Sequence, residues 1–89
     1  MGVGIFACSK AGHDKGRIYV IVEIDSQRVF LCDGDRRPLD NPKVKNIKHI
    51  QPIKAVPEEL RQMCVRNEEF YNEGIKRALK QYAAGAGRD

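Results

Sequence analysis

The sequence predicts a mainly β fold with α: a small β-barrel of about fifty residues followed by a two-helix C-terminal appendage. Three observations predict it. Residues 17–24 are almost all β-branched or aromatic, turn-forming residues punctuate the first half at short intervals, and helical spacing replaces alternation after Pro52. Several short twisted strands in so short a chain are expected to close, because an open sheet would leave its edges and one apolar face unprotected. Residues 1–54 are therefore assigned to the barrel, 55–84 to a helical appendage of the same domain, and 85–89 to a tail. With 89 residues in all, there is material for one hydrophobic core.

The elements follow in order. An apolar run over residues 4–9 gives the first strand, and Lys10-Ala11-Gly12-His13-Asp14-Lys15-Gly16 is a loop carrying two glycines and several charges. In the main strand, a period of two puts Ile18, Val20, Val22 and Ile24 on the buried face. Arg17, Tyr19, Ile21 and Glu23 fall on the other, where Tyr19 and Ile21 need partial cover. Asp25-Ser26-Gln27 is a tight turn into a strand over 28–33, so these strands form an antiparallel meander. Asp33-Gly34-Asp35 turns the chain again, and residues 36–42, with Pro38 and Pro42, are irregular. Residues 45–51 offer one more strand, whose anchors Ile47 and Ile50 reach one core only if a bend or bulge falls between Lys48 and His49. Pro57 opens a helix bearing Leu60, Met63 and Cys64 on one face. A second begins near Asn72 as N-cap, carries the stripe Ile75, Leu79 and Tyr82, and stops at Gly85.

Composition excludes several classes. The longest unbroken apolar stretch, residues 18–22, is far short of the roughly 20 residues that span a bilayer. The N-terminal residues lack the charged and extended apolar regions of a secretory signal, so a cytoplasmic location is expected. Three cysteines, Cys8, Cys32 and Cys64, are widely spaced and make no disulfide framework. With His13 and His49 they offer no metal-ligand spacing, and Cys8 and Cys32 fit strand interiors as small apolar side chains. No nucleophile, phosphate-loop or dinucleotide motif occurs, so neither an enzyme nor a cofactor or small-molecule substrate is expected. Asp33 and Asp35 fit a turn in which Asp bonds local backbone.

Charge is more informative. The chain has 16 Lys and Arg against 12 Asp and Glu, a net charge of +4. Lys43, Lys45, Lys48 and Lys54, with His49 among them and no acid, match that excess within one short segment. A second basic element is the loop of Lys10, Lys15 and Arg17, and Arg36-Arg37 is a third. Glycine in such a loop permits positive φ and close approach of a phosphate backbone.

The loop from Ser9 to Arg17, followed by the strand over 18–24, resembles the KOW motif, with Gly16 at its defining glycine. Beyond it, Val22-Glu23-Ile24-Asp25-Ser26-Gln27-Arg28-Val29-Phe30-Leu31-Cys32-Asp33-Gly34 and Asn46-Ile47-Lys48-His49-Ile50 are similar to stretches of the archaeal and eukaryotic fourteen-e type large-subunit ribosomal proteins. The resemblance covers about residues 3–53 and is best for the small bacterial KOW-domain RNA-binding proteins related to them; a helical tail like residues 72–82 is also familiar there. It implies an SH3-like barrel that binds RNA, ribosomal RNA or the ribosome in particular. His13 departs from the family loop, which often has a small or polar residue at that point, so no special role is inherited by it.

The expectation is thus a non-catalytic, translation-linked RNA-binding protein. Its candidate RNA-binding residues are Lys10, Gly12, His13, Lys15, Gly16, Arg17, Arg36, Arg37, Lys43, Lys45, Lys48 and His49. Sparse aromatics favour phosphate and shape contacts over base stacking, although Tyr19 is placed either to stack or to cover the barrel. Two other readings stand beside it. The lysines of 43–48 also suit solvated protection of an edge strand, a reading that leaves the coincidence of three basic elements unexplained, and the barrel groove or the C-terminal helices suit a protein partner.

Overall fold

The computed structural model describes residues 2–53 and 71–85. Within them lie five strands, β1 (Phe6–Ser9), β2 (Ile18–Asp25), β3 (Arg28–Cys32), β4 (Lys43–Asn46) and β5 (Ile50–Ile53), and one helix, α1 (Asn72–Gly85). The helix expected from Pro57 through Cys64 lies outside the described residues, as does Lys54. No helix among the described residues is long and apolar enough to cross a membrane.

The strands form one antiparallel sheet in the order β4-β3-β2-β1-β5. The meander β1-β2-β3 is as expected, with Ser26 and Gln27 alone between the paired Asp25 and Arg28. Positive φ at Ser26 (56°) but not at Gln27 is the φ pattern of a type II′ hairpin turn. The single strand expected over 45–51 is instead two. Asn46 Oδ1 accepts a hydrogen bond from Lys48 N (2.9 Å) and caps a 3₁₀ turn, Ile47–His49, which interrupts the strand. That interruption lets Ile50 bury fully and Ile47 partly against the same cluster, as the spacing of three required.

β4 and β5 are opposite edges of the sheet, yet only this turn separates them. Four strand spacings in a flat sheet would be about 19 Å. The four residue steps from Asn46 to Ile50 reach about 14 Å even when extended. The sheet must therefore coil to bring its edges toward each other. Among the described residues no ladder joins β4 to β5, so the sheet is not closed into the barrel expected from the sequence. The edges are short instead, and β5 carries Pro52, a residue that edge strands tolerate.

The core has two sides. Phe6, Val20 and Cys32 are cross-strand neighbours on one face, where Ile75 and Ala78 of α1 bury against them and Leu79 and Tyr82 pack alongside. The Phe6 and Tyr82 rings meet edge to face at 4.9 Å. On the other face Ala7, Tyr19, Ile21, Val29, Leu31 and Ile50 form the second cluster. The expected one-sided burial of β2 is thus corrected: Tyr19, Val20 and Ile21 are all buried. A bulge at Val22 explains the rest, because the register slips between Ile21 and Glu23. One extra residue reverses the facing of everything beyond it, so Ile24 pairs with Val29 on the side of the second cluster; Ile24 is 36% exposed there.

Gly34 seats the helix. It is buried with φ +81°, and a Cβ there would meet the Asn72 carbonyl and come within 2.6 Å of Lys76 Cγ. Asn72, expected as the N-cap, begins the helix. Tyr71 O accepts the bond from Ile75 N (3.1 Å), while Asn72 Oδ1 accepts one from Leu39 N (2.8 Å) and ties the 38–40 segment to the helix.

Candidate nucleic-acid interface

The loop between β1 and β2 is held by its own backbone. Gly16 N donates to Ser9 O (2.8 Å), Ser9 N to Arg17 O (2.9 Å) and Arg17 N to Asp14 O (2.9 Å). Gly12 and Gly16, with φ near +90°, supply the reversals that L side chains resist. Space opposite the Gly16 Cα is open to 4 Å, and both Lys15 and Arg17 beside it are exposed.

Beneath the loop lies a polar cluster. Asp14 Oδ1 is 3.0 Å from Lys45 Nζ and 2.9 Å from Ser9 Oγ, and Tyr19 OH donates to Asp14 Oδ2 at 2.9 Å. Lys45 Nζ also donates to Ala11 O (2.8 Å). The Lys45 and Asp14 side chains are only 10% and 12% exposed. Burial alone would raise the Asp14 carboxyl, but the hydrogen bonds from Lys45, Tyr19 and Ser9 outweigh it and hold the group at about 2. Burial, then the bond to Asp14, pushes the Tyr19 phenol above its ordinary value, against an opposing effect of Arg17.

Two expectations change here. Lys45 is not presented to solvent: alternation along β4 turns it, with Lys43, to the face opposite the exposed Val44, and there its ammonium donates to Ala11 O and pairs with Asp14. Tyr19, at 2% exposure with its hydroxyl committed, is no stacking platform for a base.

The neighbouring turn is built by Asp33, whose Oδ1 accepts from Asp35 N (2.9 Å) and Arg37 N (2.8 Å), the local backbone role expected of Asp in such a turn. Asp33 N returns a bond to Arg37 O (3.0 Å), so Arg36 and Arg37 sit on a closed, self-bonded loop. The Cys32 thiol packs in the core, and burial, then the charges of Asp33 and Asp40, push it up to about 11. Cys8 is half-buried; Cys64 lies outside the described residues.

The predicted basic residues fall into groups. His13 and Arg17 from the loop, Arg36 and Arg37 from the turn, and Lys43 from the start of β4 line one open groove of about 500 Å³, with Asn41 on its rim and Asp14 and Tyr19 at its base. Among the described residues, none of Arg17, Arg36, Arg37 and Lys43 forms an ion pair. Gly12, Lys15 and Gly16 stay on the exposed loop. Lys10, Lys48 and His49 gather elsewhere, at the joint where Lys10 N donates to His49 O (2.8 Å), and are exposed. The stripe Ile75, Leu79 and Tyr82, considered for a protein partner, is occupied in packing on the sheet.

Sequence reasoning did not pick out Asp14, Ser9 or Asn41. Asp14 left a signal, being the one acid in a loop with Lys10, Lys15 and Arg17; Asn41 left none. No protein-family model matches this chain, and neither does any curated protein.

Proposed function

We propose that the protein is a non-catalytic RNA-binding module of the cytoplasm that engages ribosomal or another structured RNA through its phosphates. One observation carries this reading: five of the predicted residues, from three separate segments, converge on one groove, and its four cationic side chains form no ion pair among the described residues. The single acid at its base, Asp14, is already neutralised by Lys45. A concave surface with fixed positive charge and little exposed aromatic area suits a phosphate backbone better than stacked bases. The coiled sheet with a 3₁₀ turn before its last strand is in keeping with an SH3-like barrel left open, and the positive φ of Gly16 supports the likeness to a KOW loop.

The test is a fluorescence titration of the purified chain against folded ribosomal RNA fragments and duplex DNA of equal length. Tighter binding to RNA, lost in the Arg36→Glu/Arg37→Glu/Lys43→Glu variant, supports the reading. Equal weak binding to both nucleic acids, unchanged in that variant, would reduce the basic residues to edge-strand protection.

A further inference from the structure

We infer that Asp14 and Lys45 are positioning residues of this groove, a buried ionic clamp that fixes the β1–β2 loop against β4 and so sets where His13 and Arg17 stand. The inference rests on the RNA reading above. Its geometry is independent of that reading.

Lys45 belongs to an edge strand, whereas Asp14 and Ala11 belong to a loop that the sheet order places far along the ladder. The pair therefore closes across the coiled sheet where no strand pairing does. Each Asp14 oxygen has a partner, Oδ1 with Lys45 and Ser9, Oδ2 with Tyr19, and Lys45 holds both Asp14 and the Ala11 carbonyl. A buried ion pair so fully hydrogen-bonded is specific in geometry, because any other loop position leaves a charge without a partner. Three of the groove's residues are tied to it directly. His13 is the chain neighbour of Asp14, Arg17 N bonds to Asp14 O, and Lys43 lies two residues before Lys45 on the same strand. A loop ordered before binding spares the ligand the entropy of ordering it.

The clamp makes a prediction opposite in sign to simple electrostatics. Asp14→Asn removes a negative charge from the base of an anion-binding groove, so charge alone would tighten RNA binding. If the pair positions the loop, the variant binds folded RNA about tenfold more weakly. Its log–log salt slope stays that of the wild type, because no phosphate contact is removed. Lys43→Gln, by contrast, lowers the magnitude of the slope by about 0.7 to 0.9, the loss of one contact. Lys45→Gln should behave as Asp14→Asn and not as Lys43→Gln. Amide exchange supplies a measurement that needs no RNA: in Asp14→Asn, protection at Gly16 and Arg17 falls at least tenfold while that at Val20 and Leu31 holds.

Tighter binding by Asp14→Asn, or loop amides as protected as in the wild type, would overturn the clamp. A wild-type chain that binds no RNA would defeat the phosphate reading alone. The exchange experiment would then still decide whether the pair fixes the loop.

Discussion

At the scale of single residues, one carboxylate bonds three side chains, those of Lys45, Ser9 and Tyr19. Asp14 is held at about 2 against an ordinary value of 3.8, so its bonds add stability in full above about pH 4. That contribution is lost as the pH falls through about 2. Urea unfolding at pH 5, 3 and 2 should therefore show the wild type losing more stability over this range than Asp14→Asn, which lacks the titrating group; equal losses would mean that the carboxylate is not held by its partners. Ser26 is a second such residue. It takes positive φ at a turn position that glycine occupies at no steric cost, so Ser26→Gly should stabilise the hairpin by about 0.5 kcal/mol after the entropy of the glycine is offset. Thermal unfolding checks this as a rise in Tm of about 2 to 4 °C. Residue types in the sequence announced both the turn at Ser26 and the basic loop. They did not announce the inward Lys45, since a lysine on an edge strand looks the same in sequence whether it faces water or a carboxylate 31 positions earlier.

At the scale of elements, the strands were legible because β-branched runs and turn residues act locally. The hairpin at Ser26 and Gln27, the break near Lys48 and the apolar stripe of α1 all follow from neighbours within a few positions. The bulge at Val22 was not legible. It depends on how β3 registers against β2, and strict alternation in the sequence hides it. Gly34 was legible as a turn residue but not as the seat of a helix nearly forty positions later. Both roles constrain it, so Gly34→Ala combines a strained positive φ with a clash against Asn72 and Lys76 and should cost about 2 to 4 kcal/mol. Urea unfolding followed by circular dichroism measures the loss. Nuclear magnetic resonance should show Phe6 and Tyr82 losing their edge-to-face contact; if that contact persists with unchanged stability, the helix does not rest on Gly34.

At the scale of the whole molecule, the coiling of an open sheet is what brings dispersed charges into one groove. The short link through the 3₁₀ turn draws the two edges together, and Lys45 carries β4 to the β1–β2 loop, so His13, Arg17, Arg36, Arg37 and Lys43 come to share one groove. Basic segments were visible in the sequence, but their division was not. Lys10, Lys48 and His49 gather at a separate joint, a distinction made only by chain topology. The central claim is that the groove binds RNA by neutralising phosphates, and the most direct test is the salt dependence of wild-type binding to a folded ribosomal RNA fragment. With about four contacts, log Kd against log salt should change with a magnitude of about 3 to 4, and Arg36→Glu/Arg37→Glu/Lys43→Glu should abolish the binding. Binding whose affinity is unchanged by salt, or unchanged in that variant, would contradict the claim.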